Sequence, residues 1–284
     1  MGALTETAAA KINLYLHVTG KRDDGYHLLD SLVVFADIGD EVAIEDAPVL
    51  SLTIDGPFAD RVPAGDDNIL LKTARALCAR LGREPHYRIR LTKNLPVGAG
   101  IGGGSADAAA LARLLMRNAP NDTDIGDILL SLGADIPACY ISEPLRFTKI
   151  GDEIELVKPF PTLYAVLVNP LRHCATQAVF KSLALPPPSE NMALPVFDGR
   201  DAVYRFLENT RNDLTDAACS LLPSIRDVLA ALERGQDARL VRMSGSGATC
   251  FALFDDEAAS REAAALLSKN NPHWWVRAVV LRGA

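Results

Sequence analysis

The 284-residue sequence predicts an α+β fold in two domains. Three observations predict it. Runs with alternating polar and apolar residues, such as Lys11 to Val18 and Tyr87 to Leu91, read as strands. A glycine-rich stretch from Leu95 to Ser105 feeds Ala106-Asp107-Ala108-Ala109-Ala110-Leu111, which with Leu114 and Leu115 reads as a helix. Lys158-Pro159-Phe160-Pro161 breaks the pattern between two strand-like regions, which divides the chain into residues 1–159 and 160–284.

In chain order, Lys11, Asn13, Tyr15 and His17 form one face of the first strand and Ile12, Leu14, Leu16 and Val18 the other. By pattern alone this strand is half-solvated. Arg22-Asp23-Asp24-Gly25 is a turn, and Tyr26-His27 lead from it to the apolar run Leu32 to Ala36. Glu41 to Glu45 and Ser51 to Asp55 read as further short strands. Asp67-Asn68 head a helix through Lys72, Ala76 and Leu77, with Asn68 suited to its cap. Tyr87 to Leu91 runs into Lys93 and the glycine stretch. Beyond the central helix, Asp124 to Leu132 forms another, stopped by Gly133. Asp135 before Ile136-Pro137 then reads as an N-cap with proline in the first turn. Arg146 to Val157 gives two short strands around Gly151-Asp152. In the second domain, Tyr164 to Asn169 is a buried strand and Thr176 to Phe180 starts a helix. Pro186-Pro187-Pro188-Ser189 is a stiff loop and Asn212-Asp213-Leu214 opens a helix. Met243 to Thr249 is a second glycine turn, between a helix and the strand Cys250 to Phe254.

The first glycine stretch carries the chemistry. Gly98, Gly100, Gly102, Gly103 and Gly104 free the backbone for positive φ and for close approach to a ligand. Ser105 reads as the cap of the helix that follows. A glycine loop that opens a helix aims N–H donors and the positive end of the helix dipole at one point, which suits phosphate. No Lys lies between Lys93 and the helix, so this is not a Walker loop. Gly98-x-Gly100-x-x-Gly103 satisfies the dinucleotide pattern, with Asp122 or Asp124 at the matching distance. Pro96 interrupts the approach, however, and both acids lie in a polar turn, so the match is accidental.

Net charge is −7 with no dominant basic patch, which argues against nucleic-acid and membrane-surface partners. Cys78, Cys139, Cys174, Cys219 and Cys250 are odd in number and scattered, as reduced thiols of a cytoplasmic protein are. There is no basic and apolar leader, and apolar runs such as Leu163 to Val168 are too short to span a bilayer.

Pro96-Val97-Gly98-Ala99-Gly100-Ile101-Gly102-Gly103-Gly104-Ser105-Ala106 resembles the central motif of the GHMP kinases, which phosphorylate small alcohols. Lys11-Ile12-Asn13-Leu14, Gly20-Lys21-Arg22-x-Asp24-Gly25-Tyr26-His27, Gly133-Ala134-Asp135-Ile136-Pro137 and Met243-Ser244-Gly245-Ser246-Gly247-Ala248 agree with it in the family's order. The resemblance covers nearly the whole chain. It implies a ribosomal-protein-S5-like nucleotide domain, a ferredoxin-like C-terminal domain and an active site in the cleft between them. ATP and Mg²⁺ are implied, with a cytidine diphosphate sugar alcohol as the other substrate and a monomer or homodimer as the assembly. Residues 96 to 106, Asn68 and Lys93 are then nucleotide-binding, and Ser105 also a metal ligand. Asp135 accepts the hydroxyl proton, with Lys11 beside it. Asn13, Thr176, Ser246 and Gly247 bind substrate, Tyr26 and Phe180 stack on the cytosine, and His27 hydrogen-bonds it. Two alternatives are a kinase of another alcohol, of the homoserine or mevalonate type, and a dinucleotide-dependent oxidoreductase.

Overall fold

The computed structural model describes residues 3–120, 123–234 and 237–284; Asp122 lies outside them. In chain order the strands are β1 (Leu4–Lys21), β2 (His27–Asp46), β3 (Ser51–Asp55), β4 (Tyr87–Thr92), β5 (Leu145–Lys149), β6 (Glu153–Leu156), β7 (Leu163–Asn169), β8 (Leu240–Met243), β9 (Cys250–Phe254) and β10 (Trp275–Leu281). The helices are α1 (Ile69–Arg80), α2 (Gly103–Met116), α3 (Gly126–Leu132), α4 (Ile136–Ile141), α5 (Thr176–Ser182), α6 (Arg200–Glu208), α7 (Thr215–Leu221), α8 (Ser224–Glu233) and α9 (Glu257–Asn270). By packing, the described residues fall into two units. One takes its residues from Met1–Ala10, Ile38–Val97 and Gly102–Ser142, and the other from Lys11–Asp37, Gly98–Ile101 and Glu143–Ala284.

In the first unit the later half of β2 pairs antiparallel with β4, from Glu41↔Thr92 to Asp46↔Tyr87, and β3 lies parallel to β4. Asn68 caps α1, its Oδ1 accepting from Leu70 N at 2.9 Å. The inward face of α2 is mostly alanine (Ala106, Ala108, Ala109, Ala110, Ala112), so neighbouring helices approach closely. Arg113 of α2 donates to the carbonyls of Cys139 and Tyr140 at 2.8 and 3.1 Å and so fixes α4 against α2.

In the second unit the strand order is β6-β5-β2-β10-β7-β9-β8. β10 pairs antiparallel with β7 from Trp275↔Asn169 to Leu281↔Leu163, and β7 with β9 from Tyr164↔Phe254 to Val168↔Cys250. Val166, Val168, Ala252 and Phe254 bury against Ile225, Val228 and Leu232 of α8 and Leu267 of α9. These apolar faces supply the core on which the functional turns rest.

Three expectations need correction. Leu32 to Ala36 and Glu41 to Glu45 belong to one 20-residue strand, β2. The polar break between them holds because Asp40, fully buried, accepts hydrogen bonds from the chain beside it. The turn at Met243 to Thr249 joins strand to strand, since β8 precedes it and pairs antiparallel with β9. Finally, the polar face of β1 is not solvated. Lys11, Asn13, Tyr15 and His17 are all buried. Buried polar groups of this kind persist only where they find partners. Asn13 Nδ2 donates to Ser31 Oγ at 2.8 Å, Tyr15 Oη donates to Asp30 Oδ1 at 2.7 Å, and His17 Nε2 accepts from Arg211 N at 3.1 Å.

Candidate active site

The glycine stretch meets the backbone demand expected of it. Gly98, Gly100 and Gly102 have φ of 64°, 74° and 67°, a region that side chains resist. Gly102 is itself the N-cap of α2, and Gly103 its first residue. Ser105 is therefore inside the first turn and is not the cap, a correction to the sequence reading. The helix starts early because left-handed Gly102 already turns the chain into it. No side chain caps this end, and the first N–H groups of any helix lack an intrahelical acceptor. Gly104 is exposed, and Pro96 and Ala106 are buried on either side of the loop.

Residues 98–101 pack in the second unit. Lys11 N donates to Ile101 O, Thr249 N to Ala99 O and Ser244 Oγ to Gly100 O, each at 3.0 Å. The second glycine turn lies directly on this stretch: a Cβ on Gly100 would stand 2.6 Å from the carbonyl oxygens of Gly247 and Ser244. Asn212 Nδ2 shapes that turn by donating to Met243 O and Gly245 O, both at 2.8 Å. Asn13 N donates to Ser244 Oγ at 3.1 Å, and Thr176 Oγ1 and Ser246 Oγ share a hydrogen bond of 2.7 Å. Lys11, Asn13, the loop segment, Thr176, Ser246 and Gly247 are thus collected within one unit. The Lys11 ammonium stands 5.3 Å from the centre of the Phe147 ring.

Nearby on β1 and β2, buried Asp30 receives Arg146 through Nε and Nη2, both at 2.8 Å, along with Tyr15. The same carboxylate accepts Met192 N at 2.8 Å and so ties down the segment after α5. Of the three residues assigned to a cytosine, the structure brings two together. The rings of His27 and Phe180 are 4.9 Å apart at 32°, while Tyr26 is 64 % exposed. Partial burial, with Lys21 nearby, lowers the His27 pKa and favours its neutral, hydrogen-bonding form. Phe180 also packs on the core of this unit.

In the first unit Lys93 is buried. It is 3 % exposed, and its ammonium lies 2.5 Å from Asp40 Oδ2 and 2.7 Å from Asp107 Oδ2. Burial alone would lower the Lys93 pKa, but the two carboxylates outweigh that and raise it. Burial pushes the Asp107 carboxyl up, and the Lys93 ammonium beside it pulls it back towards the charged form. Both polar ends of Asn68 are engaged, Oδ1 at the α1 cap and Nδ2 donating to Pro63 O at 2.6 Å. Asp135 occupies the N-cap position of α4 with Pro137 in the first turn, as expected, yet its side chain makes no capping hydrogen bond. Asp40, Asp107, Ser244 and Asp30 were not singled out from sequence. A lone acid in the alanine run of α2 was the one available signal, for Asp107.

Among the described residues no three His, Cys, Asp or Glu side chains gather to hold a metal. None of their helices is long and apolar enough to cross a membrane.

A family model described as the GHMP kinases N terminal domain matches residues 68–143, and one described as GHMP kinases C terminal matches residues 200–273. A 4-diphosphocytidyl-2-C-methyl-D-erythritol kinase of Roseobacter denitrificans is 50 % identical over 276 residues, covering 95 % of this chain and 91 % of that protein. The enzyme of the same name from Paramagnetospirillum magneticum is 47 % identical over 280 residues, covering 97 % and 98 %. A crystal structure of 4-(cytidine 5'-diphospho)-2C-methyl-D-erythritol kinase superposes with a TM-score of 0.81 at 29 % identity, covering 99 % of this chain and all of that one. Homoserine kinase from Cytophaga hutchinsonii shares the fold, with a TM-score of 0.73 at 18 % identity and coverage of 100 % and 95 %.

Proposed function

The chain belongs to the GHMP kinases, and from that premise we propose that it transfers a phosphoryl group from ATP to the 2-hydroxyl of 4-diphosphocytidyl-2-C-methyl-D-erythritol, in the non-mevalonate isoprenoid route. The observation that carries this reading is 50 % identity to a kinase of that name across 95 % of the chain. We assign its two domains to residues 1–159 and 160–284; the matched segments, residues 68–143 and 200–273, are compatible with that division.

Phosphoryl transfer asks a protein mainly to position two substrates and to stabilise spreading charge. The first-turn N–H groups of α2 and left-handed Gly102 before it receive the triphosphate oxygens. Asn68 and Lys93 belong to the nucleotide side of the site. Asp135 accepts the proton of the attacking hydroxyl, and Lys11 offsets negative charge on the transferring oxygens. Mg²⁺, when bound to the triphosphate, neutralises its outer oxygens. The residues fit an ion that arrives with the nucleotide: the described residues form no acidic cage, and a hydroxyl, Ser105, stands in the first turn of α2. On the acceptor side, Asn13, Thr176, Ser246 and Gly247 hold the polar part of the alcohol.

Tyr26 and Phe180 stack on the cytosine, and His27 reads its edge. Base–aromatic stacking contributes about 1–3 kcal/mol per base. Phe180→Ala therefore weakens the cytidine substrate by roughly 5- to 150-fold, at 1.4 kcal/mol per decade, and leaves ATP affinity nearly unchanged. Melting temperature and both affinities, measured on this variant, check it. A destabilised protein whose two affinities fall together would make Phe180 a core residue alone.

A further inference from the structure

We propose that Asp40 and Asp107 are positioning residues of this reaction, acting through Lys93 to set the first turn of α2 where phosphate must meet it. The proposal rests on the kinase reading above and extends it to two residues whose contacts are with Lys93 and the backbone before the loop.

The three charged groups link both ends of the glycine loop. Before it, Asp40 Oδ1 accepts the backbone N–H of Asn94 at 2.6 Å and of Leu95 at 2.8 Å, the two residues that precede Pro96. Its other oxygen takes the Lys93 ammonium, and Lys93 reaches Asp107, one turn into α2. Lys93 is itself fixed at the backbone, donating from N to Asp55 O at 2.7 Å and accepting at O from Phe58 N at 3.1 Å. Gly103, the first residue of α2, rests on this arrangement: a Cβ there would lie 3.2 Å from Lys93 Nζ and 3.7 Å from Asp40 Oδ2. The chain entering the loop and the helix leaving it are thus referred to one buried ammonium.

Stability alone gives little reason for such a cluster. Replacing a buried ion pair by apolar groups of similar size is often neutral or favourable. The surroundings here are the alanine face of α2, and Asp107 Oδ1 is buried with no hydrogen-bond partner. What the charges add is direction. A directed ammonium between two carboxylates fixes the helix start more narrowly than methyl groups would, and phosphoryl transfer is sensitive to displacements of an ångström.

The test compares Asp107→Ala and Asp107→Asn with the wild type in melting temperature, ATP affinity by calorimetry, and KM for each substrate with kcat. Asp107→Ala is expected to weaken ATP binding and raise its KM about tenfold or more, the scale of a displaced binding element, with the KM of the alcohol within twofold. Asp107→Asn keeps an acceptor for Lys93 and is expected to restore most of the ATP affinity. Should the alanine variant fail to fold, Asp40→Asn is measured in its place, with the same selective rise in KM for ATP expected. An alanine variant that melts earlier but binds ATP as the wild type does would overturn the proposal and leave the kinase reading intact. So would equal losses for both substrates. A wild-type protein that binds no ATP would overturn both.

Discussion

Asp135→Asn keeps the fold and the affinity for ATP and loses about 10²–10⁴-fold in turnover, the usual worth of a positioned proton acceptor. Asp135 sits at the N-cap of α4, where Asp, Asn and Ser are all acceptable, and its side chain makes no capping hydrogen bond there. The far end of α4 is held independently by Arg113. Replacing one carboxylate oxygen by an amide is therefore expected to leave the helix in place while removing the carboxylate to which the proposed mechanism assigns the proton. Steady-state turnover, ATP calorimetry and a melting curve on one preparation check all three parts. Turnover near the wild-type value would remove Asp135 from the mechanism. A fall of several degrees in melting temperature with unchanged turnover would restore it to the status of a cap.

Gly103→Val raises the ATP dissociation constant by about 10²-fold or more, the scale expected for ångström displacements at a reacting centre, and leaves binding of the cytidine substrate within threefold. The reason differs from what the sequence implies. Gly103 is helical, and the left-handed glycines are Gly98, Gly100 and Gly102. What valine meets at 103 is the Lys93 ammonium, 3.2 Å from its Cβ, and its branches would also crowd the first-turn N–H groups. Gly100→Val fails in another way. Its φ of 74° and two carbonyl oxygens 2.6 Å from its Cβ put the strain into the fold. Calorimetry of Gly103→Val against both substrates, beside melting curves of the two variants, distinguishes a damaged site from a damaged scaffold. Unchanged ATP affinity in Gly103→Val would mean that the phosphates lie elsewhere.

Much of this was readable from local pattern. The loop and its helix, the Asn68 cap and Asp135 before Ile136-Pro137 each announce themselves within a few residues, because turns and caps are local events. The fate of the polar face of β1 was not readable. Alternation reports which residues are polar, whereas burial of Asn13, Tyr15 and His17 depends on Ser31, Asp30 and the backbone of Arg211, all distant in sequence. The same holds for Lys93, whose partners lie 53 and 14 residues away. The sequence pattern places the cap of α2 at Ser105, three residues late, because serine is the commoner cap. A glycine in the left-handed region starts the helix equally well, and leaves its N–H groups uncovered.

The most direct test supplies 4-diphosphocytidyl-2-C-methyl-D-erythritol, mevalonate and homoserine in separate reactions with Mg-ATP and follows ADP formation and the phosphorylated product. The first alcohol is expected to consume ATP in proportion to product, and the other two are expected to leave ATP at the rate of a blank. ATP consumption with mevalonate or homoserine, and none with the cytidine compound, would contradict the account.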